Sequence, residues 1–281
     1  MPEYAHPEVL VSTEWLANNL SKPGIRVVEI SVDPKLFDAG HVPGAVSLNW
    51  NTELQDQLTR DIASQATINR LLSARGIKPT DTIVLYGDHS NWFAAYAFWL
   101  LKIYQHQDVR IVNGGRAKWL AEDTRPLTTD VTEYEPSNYV SPGVDANLRA
   151  RVSDVLGIVS SRSSNLIDVR SADEFTGKVI APPGMNETAQ RGGHIPSAKS
   201  VPWSSAVTPS GEFKSADELR DIYVKSAGLT EAKPTITYCR IGERSSHTWF
   251  VLTYLLGLKN VRNYDGSWTE YGNLIGVPIE R

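Results

Sequence analysis

One thiol and two guanidinium groups lie together in Cys239-Arg240-Ile241-Gly242-Glu243-Arg244, and Cys239 is the only cysteine of the 281-residue chain. Upstream, Thr235-Ile-Thr-Tyr238 is β-branched and apolar. Downstream, Ser245-Ser-His-Thr-Trp-Phe250 leads into a helical pattern that we place near 246–257. A strand–loop–helix turn of this kind can aim backbone N–H groups at the sulfur, and a helix N-terminus with nearby guanidinium groups favours the thiolate. A free cysteine is otherwise often a small buried hydrophobe. Two arginines within five residues argue against that role here, because a dry apolar pocket does not tolerate them unpaired. Cys239 is therefore the candidate nucleophile, and its pKa is expected below the free value of about 8.5.

The elements that would carry this loop occur twice. Arg26-Val-Val-Glu-Ile30 followed by Gly40-His41-Val-Pro43 has a partner in Asn165-Leu-Ile-Asp168-Val followed by Gly193-His194-Ile-Pro196. Thr82-Ile-Val-Leu-Tyr86 matches Thr235-Ile-Thr-Tyr238, and Val112-Asn-Gly-Gly115 matches Asn263-Tyr-Asp-Gly266. The offsets of these anchors, 153, 152 and 151 positions, are nearly constant and far above solenoid repeat lengths, which indicates two whole domains.

Strands are expected near 26–30, 82–86 and 109–112, then 164–168, 235–238 and 260–263. Helices are expected near 67–75, 93–103 and 116–122, then 151–160, 215–227 and 246–257. The alternation predicts an α/β fold, tandem domains each with a mostly parallel sheet flanked by helices. We place an inactive N-terminal domain at 1–125, a linker at 126–147 where Pro126, Pro136, Pro142 and Gly143 interrupt periodicity, and a catalytic domain at 148–281. At the position of Cys239 the first half carries Gly87, so thiol chemistry is confined to the second half. The first is expected to cover one side of a cleft.

Composition narrows the class. A chain that is 41% hydrophobic and 21% charged is that of an ordinary globular protein, and a net charge of −4 with scattered basic residues gives no footprint for nucleic acid. One cysteine forms no intrachain disulfide and excludes a thiolate-rich metal site, so neither cofactor nor metal is expected. MPEYAHPEVLVSTEW has no basic region leading into an apolar stretch, and Trp92–Ile103 is too short to span a bilayer. A cytoplasmic enzyme without membrane contact is expected. His41 and His194 occur in both halves although only one half has the thiol, so both are expected to stabilise turns.

Three motifs together carry a resemblance. Phe37-Asp-Ala-Gly-His41-Val-Pro-Gly-Ala45-Val-Ser-Leu48, Val261-Arg-Asn-Tyr264-Asp-Gly-Ser-Trp268-Thr-Glu-Tyr271 and Cys239-Arg-Ile-Gly-Glu-Arg-Ser245 are similar, in order and spacing, to the two signatures and the active loop of two-domain rhodaneses. The loop resembles that of actinobacterial, CysA-like members. The resemblance spans essentially the whole chain. It implies a thiosulfate sulfurtransferase: Cys239 takes the outer sulfur of thiosulfate, sulfite leaves, and the persulfide passes its sulfur to cyanide or another thiophilic acceptor such as a thiol. No second cysteine is present to resolve the persulfide internally.

Arg244 is then the first candidate to hold the anion, and Arg240 the second. Asp168 and Arg170 are expected to brace the active loop from behind as a buried ion pair. Vertebrate-type relatives place an arginine four residues beyond that Asp-x-Arg arginine, where this chain has Glu174. Lys178 or Arg191, flanking the proline- and glycine-rich insertion 179–193 that could fold over the cleft, is expected to supply the charge instead.

Other readings differ in chemistry. A 3-mercaptopyruvate sulfurtransferase would resemble this chain, but that subgroup has a small uncharged residue where Arg240 stands. A Cdc25-like phosphatase or arsenate reductase would have its arginine at the sixth position after the cysteine, occupied here by Ser245. A non-catalytic rhodanese binding module would not need the thiol and its arginines.

Overall fold

Thr82–Tyr86 and Thr235–Tyr238 are apolar or β-branched throughout, a composition suited to strands covered on both faces. Each lies inside a sheet whose strand pairs are all parallel. Parallel neighbours need crossover connections, and the amphipathic segments between the strands supply them. The computed structural model describes residues 3–184 and 188–281.

In the first unit the strands are β1 (Leu10–Val11), β2 (Ile25–Glu29), β3 (Val46–Ser47), β4 (Thr82–Tyr86) and β5 (Val109–Val112), in the order β1-β5-β4-β2-β3. Its helices are α1 (Thr13–Ala17), α2 (Lys35–Ala39), α3 (Gln65–Ala74), α4 (Trp92–Ile103) and α5 (Gly115–Ala121). In the second unit β6 (Asn165–Asp168), β7 (Lys199–Ser200), β8 (Thr235–Tyr238) and β9 (Val261–Asn263) are ordered β7-β6-β8-β9. There the helices are α6 (Val152–Ser161), α7 (Ala172–Phe175), α8 (Ala216–Arg220), α9 (Glu243–Phe250) and α10 (Ser267–Tyr271). Wider π turns extend α8 over Asp221–Ser226 and α9 over Val251–Leu255. Strands β2 to β5 thus recur as β6 to β9. Where β1 flanks β5, a single parallel bridge from Arg149 to Asn263 flanks β9.

The long elements fall where periodicity predicts them. The two-residue strands β1, β3 and β7 and the short helices α1, α2, α7 and α10 carry too few residues to show a period. Helix α9 begins at Glu243, ahead of the expected 246, because Glu243, Arg244 and Ser245 are polar yet buried.

The first unit comprises residues 8–146 with 209–213, and the second residues 147–208 and 214–281 with the N-terminal segment. The proline-rich stretch before Ala146 has no regular structure but is laid against the first unit. Thr128 bridges to His41, Arg26 sits over the Tyr134 ring at 4.5 Å, and the Tyr139 hydroxyl bonds His106 at 2.8 Å.

Both units use the same internal braces. The hydroxyl of Tyr86 accepts from Val42 N and that of Tyr238 from Ile195 N. His41 and His194 bond the carbonyls of Phe37 and Phe175 through Nδ1 and stack on the same two phenyl rings, so each ring ties down its turn. In the first unit Arg116 of α5 forms bonds of 3.1 and 3.0 Å to the buried Glu29 carboxylate and also donates to Gly40 O. In the second, Arg170 at the end of β6 itself bonds Asp168 and donates to Gly193 O.

Arg116→Met leaves the Glu29 carboxylate buried without its cation, and we expect a loss of about 3–5 kcal/mol. Urea unfolding measures it, and a change below about 1 kcal/mol would mean that the pair behaves like a surface contact.

Candidate active site

Strand β8 is buried along its whole length and delivers Cys239 to the start of the loop. The cysteine backbone is fixed from the α10 side. Its N–H donates to Ser267 Oγ at 3.0 Å, and the carbonyls of Cys239 and Arg240 accept from Trp268 N and Thr269 N, both at 3.0 Å. Gly242 then turns at φ +105°, and a Cβ there would lie 2.9 Å from Asp265 Cα and Cβ. Asp265 is itself held by a bidentate Arg149 at 2.7 and 2.8 Å. Only glycine fits this turn, and the turn points the Gly242 N–H at the sulfur.

The sulfur is wholly buried. Cys239 Sγ accepts from Gly242 N at 3.2 Å and from Ser245 Oγ at 3.6 Å. Its thiol donates to Glu243 Oε2 at 3.4 Å. Burial pushes the thiol pKa up, the Glu243 charge adds to that, and Arg244 with Ser245 only partly offsets them. The direction is the reverse of the lowering expected from the helix terminus and the arginines. A carboxylate on the first turn of α9 opposes the helix terminus and the arginines.

Arg244 is buried and makes a bidentate pair with Glu174, Nη1 to Oε2 at 3.0 Å and Nη2 to Oε1 at 3.1 Å. Its Nε lies 3.6 Å from Glu243 Oε1, and Arg240 Nη2 lies 3.9 Å from the same oxygen. Glu174 belongs to a capping box on α7: Glu174 N donates to Ser171 Oγ, while Ser171 N and Oγ donate to Glu174 Oε2. Burial would raise the Glu174 pKa, but Arg244 and the Ser171 amide outweigh it and hold the carboxyl below the usual range. Arg244 and Glu174 reach the wall of a cleft of about 520 Å³, lined also by Ser171, Asp173, Pro182 and Trp203.

The remaining expected residues lie in different settings. Asp168 and Arg170 form a fully buried pair, with Nε–Oδ1 at 2.9 Å and the guanidinium 4.6 Å from the Trp268 ring centroid. Lys178 is exposed and pairs with Asp173 at 3.3 Å. The Arg191 guanidinium donates to the carbonyls of Tyr271, Gly272, Leu274 and Val277 and satisfies the chain leaving α10. Within the insertion, residues 185–187 lie outside the described residues.

Sequence reasoning missed Glu243. The glutamate faces the cysteine through the loop that turns at Gly242 and starts α9 at Glu243, and spacing alone does not reveal that turn. Glu174 was noticed only as a departure from relatives, not as the partner of Arg244.

In the first unit the equivalent of Cys239 is closed to chemistry. A Cβ on Gly87 would lie 2.2 Å from Ile30 O, so that position accepts no side chain without movement of the backbone. His89, Ser90 and Asn91 follow with positive φ, and Asn91 Oδ1 accepts from Gly87 N at 3.0 Å. Among the described residues no group of three His, Cys, Asp or Glu side chains could hold a metal ion, and no helix is long and apolar enough to cross a membrane.

Two parallel α/β units, one ending its inner strand in a cysteine under a glycine turn and the other in a glycine, define a duplicated fold with a single thiol site. The rhodanese-like domain model matches residues 12–122 and 152–274, and the chain belongs to the rhodanese family of sulfurtransferases. A Mycolicibacterium smegmatis protein provisionally named a thiosulfate sulfurtransferase is 51% identical, over 98% of this chain and 99% of that one. The sulfur carrier protein TtuD of Thermus thermophilus is 50% identical, over 99% and 98%. Among solved structures, the 3-mercaptopyruvate sulfurtransferase SseA of Escherichia coli superposes with a TM-score of 0.80 at 26% identity, covering 92% of this chain and 98% of that one.

Because the thiol is raised, iodoacetamide should modify ligand-free Cys239 slowly at pH 7 and faster as the pH climbs past about 8.5. Rapid modification that is flat from pH 6 upward, followed by intact mass, would contradict the upward shift of the thiol.

Proposed function

We propose that the chain is a thiosulfate sulfurtransferase that holds sulfane sulfur as a persulfide on Cys239 and hands it to cyanide or a thiol. The observation that carries this reading is the Cys239 sulfur beneath the Gly242 N–H, with Arg240 and Arg244 in its charge network and Arg244 on the wall of a cleft. The names of relatives at about half identity support the donor. Arg240 and Arg244 suit a dianion better than the monoanionic mercaptopyruvate, although the likeness to SseA keeps that donor as the alternative.

At rest Glu174 and Glu243 occupy the guanidinium groups that an anion would use. Thiosulfate entering the cleft competes with Glu174 for Arg244, and drawing Arg244 aside opens the way to the buried sulfur. Sulfite then leaves from a site with N–H and guanidinium donors placed for negative charge. A lone cysteine has no partner for an internal disulfide, so the persulfide waits for an external acceptor. That trait suits a reducing cytoplasm, and the likeness to a named sulfur carrier supports a thiol or protein acceptor beside cyanide.

Incubation with thiosulfate should add one sulfur atom to the native chain by intact mass, none to Cys239→Ser, and cyanide should remove it. Failure of the native chain to gain sulfur would defeat the reading. Arg244→Lys keeps a charge near Glu174 but loses the planar fork. We expect its KM for thiosulfate to rise roughly tenfold with a smaller change in kcat. A preference for mercaptopyruvate in kcat/KM would reassign the donor.

A further inference from the structure

The two oxygens of the Glu243 carboxylate face different partners. Oε1 lies 3.6 Å from Arg244 Nε and 3.9 Å from Arg240 Nη2, while Oε2 lies 3.4 Å from Cys239 Sγ. A carboxylate serving only to neutralise the arginines has no need to set its second oxygen on the sulfur. Among the described residues, the other groups bonded to the thiol are not bases for its proton. Gly242 contributes an N–H, Ser245 a hydroxyl that donates, and Ser267 from α10 holds the Cys239 amide. Glu174 of α7 is engaged by Arg244 and Ser171. A thiol removed from bulk water gives up its proton only to a base in contact with it, and Glu243 meets that geometric requirement.

Resting on the thiosulfate reading, we infer that Glu243 is a catalytic proton shuttle for persulfide formation, taking the Cys239 proton and returning it to the departing sulfite. The S–H proton passes to Glu243 Oε2, and the sulfur's electron pair forms a bond to the outer sulfur of thiosulfate. The thiosulfate S–S bond breaks with its pair leaving on sulfite. Glu243 then gives up the proton, and the leaving group departs as hydrogensulfite. The products are a persulfide anion on Cys239 and a restored carboxylate. Total charge is unchanged, and no outside oxidant or reductant enters. Arg240 and Arg244 stabilise the anions that the transfer leaves.

The same carboxylate raises the thiol pKa at rest, so two roles predict opposite outcomes on its removal. For Glu243→Gln, single-turnover persulfide formation from thiosulfate, followed by intact mass, should slow by roughly 10²-fold at pH 7. The rate should recover as pH rises, when hydroxide replaces the lost base, and Glu243→Asp should retain an intermediate rate. A Glu243→Gln rate at pH 7 equal to or above the native one overturns the shuttle and leaves Glu243 as a group that merely restrains ionisation. If Glu243→Gln does not fold, Glu243→Asp alone decides. Its shorter side chain draws the carboxylate off the sulfur, so a slowed rate that recovers with pH supports the shuttle, and an unchanged rate overturns it. Absence of sulfur uptake by the native protein would fail the thiosulfate reading instead, a result separable from either variant.

Discussion

A buried run of alternating charges, Glu174, Arg244, Glu243 and Arg240, meets the single thiol at Glu243, and neighbouring elements of the second unit hold that run in place. Ion pairs taken out of water are costly unless geometry is close and further hydrogen bonds fill the remaining valences. Glu174 meets those conditions, while Glu243 stands 3.6 and 3.9 Å from its arginines, and several elements hold the run in place. Helix α7 supplies the capping serine to Glu174, the Gly242 turn starts α9 early enough to bring Glu243 under the sulfur, and the first residues of α10 grip the cysteine backbone. The network thus explains why a sequence of charged and small polar residues is among the most buried in the chain.

Duplication shows which devices belong to the fold and which to the chemistry. The tyrosine that accepts from the turn, the histidine stacked on phenylalanine and the carboxylate at the end of an inner strand recur in both units. The cation that neutralises the carboxylate comes from α5 in one unit and from the strand end in the other, yet reaches the same carbonyl of the glycine before the histidine. A brace that survives a change in the origin of its arginine belongs to the fold. The thiol network does not recur, and the matching position in the first unit is sealed by the Ile30 carbonyl.

Much of this was legible in the sequence. The duplicated anchors gave the two parallel sheets and their crossovers, and the contrast of Gly87 with Cys239 located the chemistry in the second half. The local charge balance was not legible. Arg240 and Arg244 stand out near a cysteine, but the acids that pair with them are read only when the helix phase and the fold of α7 are known. Glu243 looked like a loop residue because polarity mimics exposure. The bonds of Arg191 were not legible either, because nothing in the sequence indicates that the carbonyls after α10 need a donor.

The Ser171 cap gives the cleft wall an asymmetry. Glu174 Oε2 accepts from the backbone and hydroxyl of Ser171 as well as from Arg244. The four-residue α7 depends on that acceptor for its first turn. The carboxylate is thereby moored by its own helix as well as by the arginine, so the local fold of α7 sets where negative charge stands on this wall.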